Sequence, residues 1–375
     1  MELLAILLII GAAYWLETVL YRKYAFHKLD YRCYFSTEEA WEGDEITLVE
    51  EVVNAKLLPL PWLKAELTTS RWLEFAGSQS LITGETRFVP SFFMMKSHHK
   101  VVRSWKVKCL KRGVFHLDKV ILISSDLFGR VSLSRPAEPH ACVTVLPRPA
   151  DLELGFQKVH SYSGPVVIRR HLLPDPFLIA GVREYTRRES MNRIHWLATA
   201  RTGRLMVHNN EYSADQTLTV LLNVQSRENE ISNNLDPWKI EAAIHACAGF
   251  LDDTLRSGIP VNLMVNTSLT GERSCIATGS SWGSQHIHET LRILAQLPLY
   301  STEHFPIFLS GFCRKITSSD LVLITPYVNE DILSYALMQQ EQGIRVKIIL
   351  ISRTLLEEAS TCPLEIYLYW GEENE

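Results

Sequence analysis

The sequence predicts a multi-domain α+β protein that consists of an apolar N-terminal helix, an immunoglobulin-like β-sandwich and a doubly wound α/β domain. Three observations support this prediction. Residues 3–16 contain no charged side chain, residues 31–149 contain short runs with period-two alternation, and strand and helix patterns alternate from residue 216 onward. The predicted boundaries are 1–21 for the helix, 22–149 for the sandwich and 150–375 for the α/β domain.

The composition indicates a folded protein and excludes some functional classes. A chain of 375 residues can form two cores, because single domains usually contain ~100–150 residues. The net charge of −4 argues against a general nucleic-acid-binding protein, which carries an excess of basic residues. The seven cysteines are scattered and include no CxxC pair, which fits reduced thiols better than a disulfide framework or a zinc site.

The apolar run at the N-terminus predicts one membrane-spanning helix. Together with the residues just after Glu17 it gives roughly 19 residues, enough to cross a hydrocarbon core of ~30 Å. A cleaved signal peptide is the alternative, although Met1 and Glu2 provide no basic n-region. The basic residues after the span predict a single-pass protein of the cell membrane with its bulk in the cytoplasm: Arg22, Lys23, Lys28 and Arg32.

Residues 31–149 have the pattern of a β-sandwich. From Ser104 to Cys109, polar and apolar side chains alternate, as in a strand with one buried face. Similar runs occur at 45–54, 62–69, 115–124 and 141–146, with turn residues such as Gly43 and Gly113 between them. About seven strands in ~120 residues favour an immunoglobulin-like sandwich over a barrel.

Residues 216–351 have the pattern of an α/β domain. The run at 216–224 is almost entirely apolar, as in a parallel strand that is buried on both faces. Further strands are predicted at 260–265, 272–277, 320–325 and 344–351, and helices at 237–257, 284–297 and 330–342. This alternation predicts a right-handed doubly wound sheet.

The stretch Gly181–Arg204 contains six arginines and two glutamates and lies between the two patterns. The residues GVREY at 181–185, Glu189, RIHW at 193–196 and Ala200-Arg201 resemble the signature of the bacterial domain-of-unknown-function family fifty-eight. Asn54 and the runs at 57–62, 111–113, 126–129 and 145–147 are similar to the β-rich front domain of that family. Two features differ: Arg188-Glu189 replaces the usual Gly-Asp, and one N-terminal span replaces two.

The family resemblance implies a von Willebrand factor A-like fold for the α/β domain, a membrane anchor and a MoxR-type AAA+ ATPase as partner. It implies no reaction. We therefore predict a membrane-anchored, non-enzymatic adaptor that works with such an ATPase on protein complexes. The predicted interaction residues are Arg183, Tyr185, Arg187, Arg188, Arg193, Trp196 and Arg201.

The spacing within this stretch predicts a helix from Ser190 to Arg201. Its buried stripe would contain Met191, Ile194, Leu197 and Ala198. Two interpretations of the arginines remain open. They could brace the domain through internal ion pairs, or they could form a recognition surface, since Arg and Trp dominate binding hot spots.

The motifs with possible chemistry are weak. A von Willebrand factor A domain binds Mg²⁺ through an Asp-x-Ser-x-Ser loop, but the matching loop here is Asn223–Arg227, and Pro326 occupies the later acidic position. We therefore predict a degenerate metal site and no cofactor. The sequence contains neither a Walker A loop nor a GxGxxG motif, so we expect no bound nucleotide.

Two alternative functions remain open at this point. Gly279–Gly283 matches the G-x-S-x-G elbow, which makes a serine hydrolase at Ser281 one alternative. The last histidine is His304, so the acid would have to be Glu289 or Glu303, and neither has the late-strand placement that a triad needs. The other alternative is a structural membrane organiser whose basic stretch binds anionic lipid. The sequence does not determine the oligomeric state.

Overall fold

The chain divides into two compact units, Met1–Arg148 and Pro149–Glu375. The computed structural model describes residues 2–370 with the exception of 118, 127–128, 130, 140, 152–155, 160–178, 186–193, 211–216, 229–235, 270–273, 314–315, 317 and 354–363.

The first unit contains one helix and a set of short strands. The helix is α1 (Glu2–Tyr24). The strands are β1 (Leu29–Phe35), β2 (Glu39–Trp41), β3 (Glu45–Asn54), β4 (Leu60–Ser70), β5 (Leu73–Phe75), β6 (Leu81–Thr83), β7 (Thr86–Met95), β8 (His99–Cys109), β9 (Gly113–His116), β10 (Lys119–Ser125), β11 (Ser132–Ala137) and β12 (Cys142–Leu146).

These strands form a four-stranded sheet in the order β1-β3-β8-β5, a five-stranded sheet in the order β11-β10-β4-β7-β6 and a three-stranded sheet in the order β2-β12-β9. Along β3 and much of β4, every second side chain is buried. The inward-facing side chains form one hydrophobic core, which includes Leu48, Val52, Leu67 and Val107. The period-two pattern thus selects the side chains that the sheets enclose.

The predicted membrane anchor is wrong. Among the residues that the structure describes, no helix is both long enough and apolar enough to cross a membrane. Helix α1 continues to Tyr24, past the predicted end at residue 21, and its last turns pack on the core of the first unit. The hydroxyl group of Tyr21 lies 2.5 Å from Ser124 Oγ, and Tyr21 and Ala25 are buried. The single-pass topology and the cell-membrane localisation that were deduced from the anchor are corrected with it.

The second unit has the following elements. Its strands are β13 (Phe156–Val159), β14 (Ile179–Glu184), β15 (Met206–Asn210), β16 (Leu218–Leu222), β17 (Val261–Val265), β18 (Ile276–Ala277), β19 (Asp320–Thr325), β20 (Arg345–Ile351) and β21 (Glu365–Tyr369). Its helices are α2 (Trp196–Thr202), α3 (Pro237–Arg256), α4 (Ser284–Gln296), α5 (Phe305–Gly311) and α6 (Glu330–Glu341).

A seven-stranded sheet in the order β13-β21-β20-β19-β16-β17-β18 forms the centre of the second unit. The strands from β21 to β17 are parallel, and β13 and β18 are antiparallel at the edges. Every residue of β16 and β19 is buried, as the apolar runs predict. The helices predicted from Pro237, Ser284 and Glu330 are confirmed. Asp236 and Asn329 cap α3 and α6 by accepting hydrogen bonds from Lys239 N and Ile332 N.

The fold class predicted for the whole chain is also corrected. Among the residues that the structure describes, strands account for 40% and helices for 26%, so β structure predominates. Of the strand predicted at 272–277, the described residues are 274–277, and among them only Ile276–Ala277 is a strand. This edge strand pairs antiparallel with β17 through Met264 and Val265.

Gly249, in the middle of α3, has no room for a side chain because the backbone of Ala150 lies against it. A Cβ atom on Gly249 would lie 2.3 Å from the carbonyl oxygen of Ala150, whose N–H donates to His245 O. We expect Gly249→Ala to lower the free energy of unfolding by about 1–3 kcal/mol, because the clash is with backbone. The expected sign is opposite to the usual one, since alanine normally stabilises a helix by ~1 kcal/mol relative to glycine.

Chemical denaturation of the full chain measures this effect. Gly311→Ala is the matched control, since a Cβ atom on Gly311 of α5 meets nothing within 4 Å. Equal stability of the two variants would contradict the packing argument.

Candidate docking surface

The described residues of Gly181–Arg204 include β14 and α2, and β14 pairs with the following strand β15 in a two-stranded antiparallel sheet. Ile194 forms an isolated bridge with Val207, and both side chains are buried. The N–H of Tyr185 donates to Leu205 O at 2.8 Å, and the N–H of His195 donates to Met206 O at 2.7 Å. These bonds fix the start of α2 to the strand that follows it.

Helix α2 is short and held by specific hydrogen bonds. His195 Nδ1 accepts from the N–H of Ala198 at 3.0 Å and caps the N-terminus. Gly203 ends the helix with φ of 71°, a left-handed conformation that favours glycine. The hydroxyl group of Thr199 accepts from the N–H of Met206 at 3.0 Å. Both ends and the middle of α2 are therefore fixed.

This rigid helix exposes large apolar side chains. Trp196 is 65% exposed and Leu197 is 62% exposed. Arg201 is also exposed and lies one helical turn after Leu197, so the two side chains share one helix face. We call these three residues the α2 surface. An exposed tryptophan beside a leucine and an arginine is the combination that interfaces use as an anchor.

The structure describes only part of the predicted interaction set. Trp196 and Arg201 lie on α2, Tyr185 is half-buried beside β15, and Arg183 lies in β14. The remaining residues of the set lie outside the described part of the chain: Arg187, Arg188 and Arg193.

The helix predicted from Ser190 to Arg201 is wrong in its start and at Leu197 of its buried stripe, whereas Ile194 is buried as predicted and Met191 lies outside the described residues. The helix begins at Trp196, because Ile194 pairs with Val207 as a strand residue and His195 serves as the cap. Leu197, predicted to be buried, is exposed because α2 is held to β15 through Thr199 instead.

The sequence reasoning also missed Arg204 and Leu205 as exposed residues next to this surface. Gly203 was the available signal. A glycine in the left-handed conformation ends a helix and turns the chain outward, which leaves the next residues at the surface.

A network of buried amide groups occupies the loop that matches the metal loop. Asn223 Oδ1 accepts from the N–H of Gln225 at 2.9 Å and from Asn266 Nδ2 at 3.1 Å, and Asn223 Nδ2 donates to Thr325 Oγ1 at 3.0 Å. Asn266 Oδ1 accepts from the N–H of Val224 at 2.8 Å. The amide oxygens are thus engaged with protein donors. They join the ends of β16, β17 and β19.

The same network continues to the start of α5. Gln225 Oε1 accepts from the N–H of Phe305 at 2.6 Å, and Gln225 Nε2 lies 3.1 Å from His304 Nδ1. The described residues contain no group of three His, Cys, Asp or Glu side chains that could hold a metal ion. The degenerate metal site stays a prediction. The geometry assigns these amides a structural role, since each one closes a loop on its neighbour.

The thiol of Cys275, which lies beside Glu303, is poorly suited to nucleophilic chemistry. Cys275 Sγ lies 3.5 Å from Glu303 Oε2. Burial, and then the hydrogen bond to this carboxylate, raise the pKa of Cys275 to about 11. The thiolate is the reactive form, so Cys275 is almost entirely in its unreactive protonated form at neutral pH.

The geometry around Ser281 does not provide a hydrolase site. The backbone of Ser281 pairs with Val261, the first residue of β17, so Ser281 lies at the amino end of the parallel strands. A nucleophile elbow presents its serine at the opposite, carboxyl end. His286 is buried, and its Nε2 lies 3.0 Å from the carbonyl oxygen of Val261. Within the described residues, no hydrogen bond joins Ser281 Oγ to a histidine.

The family model for "Protein of unknown function DUF58" matches residues 181–307, about a third of the chain. This match supports the DUF58 family. The matched region begins at the first residue of the arginine-rich stretch, which carries the resemblance in the sequence, and it includes α2 and the amide loop. No curated protein matches the chain.

Solved structures match about a third of the chain. A non-cellulosomal cohesin from Archaeoglobus fulgidus is 13% identical, with 31% of this chain and 91% of that chain covered and a TM-score of 0.22. A CARDB domain from Pyrococcus furiosus, in complex with di-metal ions, is 11% identical, with 32% and 96% covered and a TM-score of 0.22. These are immunoglobulin-like β-sandwich domains and not von Willebrand factor A domains, and the von Willebrand factor A-like assignment predicted for the α/β domain is not confirmed.

Proposed function

We propose that this chain is a non-enzymatic adaptor that binds a partner protein through the α2 surface. The family resemblance names the partner class, a MoxR-type AAA+ ATPase. The observation that carries the proposal is the exposure of Trp196 and Leu197 on a helix whose ends are fixed by hydrogen bonds.

The rigidity of α2 favours binding. Ordering a flexible side chain or loop costs binding free energy, and a helix that is already fixed avoids much of this cost. Burial of apolar surface contributes roughly 25 cal/mol per Å², so a tryptophan and a leucine together supply a substantial part of a moderate affinity.

The charge of the same surface selects the partner. Arg201 lies on the exposed side of α2, and Arg204 is exposed just after it. Arginine binds carboxylates through two parallel hydrogen bonds, and opposite charges speed the encounter between proteins. A partner with an apolar pocket beside acidic side chains fits this surface.

A pair of tryptophan variants tests the proposal. Trp196→Ala is expected to weaken capture of the purified ATPase at least tenfold, because a central tryptophan commonly contributes 2 kcal/mol or more to binding. Trp282→Ala is the matched control, since Trp282 belongs to the same unit and is similarly exposed. It should leave capture unchanged.

Thermal melting separates loss of binding from loss of folding. Both substitutions replace exposed side chains, so each is expected to change stability by less than about 0.5 kcal/mol. An unchanged affinity for Trp196→Ala, or an equal loss for Trp282→Ala, would contradict docking through α2.

A further inference from the structure

The five-stranded sheet of the first unit exposes apolar side chains on the face that points away from the core. Trp62 on β4 is 63% exposed, and Phe92 and Met94 on β7 are 62% and 69% exposed. A sheet that covers a core on one side usually has polar side chains on the other. We call this surface the outer face. It continues through half-buried Pro90 on β7.

A β-bulge places Trp62 on the outer face. Leu60 pairs with Met95 and Leu63 pairs with Phe93, so β4 has one extra residue in this interval. All four of these side chains are buried. Without the extra residue Leu60 and Leu63 would point to opposite faces. The bulge keeps both in the core and turns Trp62 outward next to Met94.

The centre of the outer face carries one pair of opposite charges. Lys64 Nζ donates to Glu66 Oε2 at 2.6 Å, and both side chains are half-buried. These residues lie on β4, the middle strand of the five. Phe92 on β7 and Ile123 on β10 lie opposite Lys64, whereas Pro90 and Ile121 lie opposite Glu66. Apolar side chains therefore flank each charge on both sides.

We propose that the outer face binds the outer face of a second copy of this chain. The two-fold axis lies midway between the two sheets and runs perpendicular to the strands. It passes over Ala65 of β4. This rotation places Lys64 against Glu66 of the partner subunit, and the reverse contact forms at the same time. A positive and a negative side chain at the centre are thus complementary to their own copy.

The same rotation matches the apolar positions. Phe92 lies against Pro90 of the partner subunit, and Ile121 lies against Ile123 of the partner subunit. Two packed sheets are about 10 Å apart, which leaves room for these side chains to interdigitate. A different protein would need an acidic side chain opposite Lys64 and a basic side chain opposite Glu66. A second copy of this chain provides both, because the two-fold rotation places its own Glu66 and Lys64 there.

The available area suits a dimer of moderate affinity. The five strands contain 37 residues in all, and at about 4.8 Å between strands and about 3.3 Å per residue they give a face of about 590 Å². A standard interface buries about 800 Å² on each partner. The outer face and its rim together approach that value.

Sedimentation equilibrium of the full chain tests the apolar contacts. The unaltered chain should be a dimer at micromolar concentration, and Phe92→Thr/Met94→Thr should weaken association at least tenfold. Val102→Thr on β8 is the control, because it makes the same kind of change at an exposed position of the other sheet. A monomeric chain, or a dimer that tolerates the double variant, would overturn the proposal and leave the outer face to a different protein.

Charge reversal tests the two-fold arrangement. Lys64→Glu alone, or Glu66→Lys alone, places like charges opposite each other across the axis and should each weaken the dimer at least tenfold. The combined swap Lys64→Glu/Glu66→Lys restores both the pair within the chain and the pair between copies, so it should restore the dimer. An unchanged dimer affinity in either single variant would overturn this arrangement. A double variant whose affinity stays as weak as that of the single variants would overturn it as well. Circular dichroism confirms that each variant is folded.

Discussion

Replacement of Glu50 by alanine is expected to lower the free energy of unfolding by about 3–5 kcal/mol, because it removes the shared acceptor of a hydrogen-bond network in the core. Glu50 is fully buried on β3. Its Oε1 accepts from the hydroxyl group of Tyr31 at 2.7 Å. Its Oε2 accepts from Ser91 Oγ and from Trp105 Nε1, both at 2.6 Å.

The position of this carboxylate explains the size of the effect. Ser91 lies on β7 of the five-stranded sheet, whereas Glu50, Tyr31 and Trp105 belong to the four-stranded sheet. Glu50 therefore joins the two sheets through the core. Alanine would leave three donors without an acceptor, and each unsatisfied donor in a buried site costs about 1–3 kcal/mol.

Chemical denaturation of Glu50→Ala against the unaltered chain measures this loss. Glu51→Ala is the matched control, because Glu51 follows on the same strand and pairs with Lys100 at the surface. We expect little change from it, since exposed ion pairs contribute little. Equal effects of the two substitutions would contradict the role of Glu50.

The second large effect is a gain in stability. Lys56 is buried, and its Nζ has no hydrogen-bond partner among the described residues. Burial lowers the pKa of Lys56 to about 8, because the charged amine is poorly solvated there. We expect Lys56→Met to raise the free energy of unfolding at pH 7 by about 3 kcal/mol, since methionine keeps the apolar stem and removes the cation.

The pH dependence gives this prediction a defined sign. In the unfolded chain the pKa of lysine is about 10.4, so between pH 8 and 10.4 the unfolded state binds more protons than the folded state. The free energy of unfolding therefore increases as the pH rises from about 8 to 10.4, because the buried amine of Lys56 loses its charge before the amine of the unfolded chain does. This increase is lost again as the pH falls through about 8.

Denaturation at pH 7 and at pH 10 detects both effects. The gain from Lys56→Met should be largest at pH 7 and should shrink by pH 10. Lys96→Met is the control, because Lys96 is exposed in the same region and should show no such difference. A destabilised Lys56→Met variant at pH 7 would show that the amine has an acceptor.

The sequence patterns located secondary structure well wherever a local signal was strong. The strand at Asp320–Thr325 and the helices that start at Pro237, Ser284 and Glu330 follow from apolar runs and capping residues. Such signals depend on neighbours within a few positions, which the sequence shows directly.

The candidate sites depended on contacts between distant residues. Leu197 fits a buried helical stripe by its spacing, yet it is exposed because Thr199, and not Leu197, holds α2 to β15. Ser281 fits a nucleophile elbow by its motif, yet the antiparallel strand β18 carries it to the amino end of the sheet. Neither outcome is visible in the local pattern.

By itself, the sequence determined that the chain has a β-rich first part and an alternating second part, and that its most arginine-rich stretch lies between residues 181 and 204. Only the tertiary structure decided how α1 is used, which face of α2 is exposed, and that a bulge turns Trp62 outward beside Met94. The physical reason is the same in each case. Burial of a side chain depends on the surface that packs against it, and distant parts of the chain provide that surface.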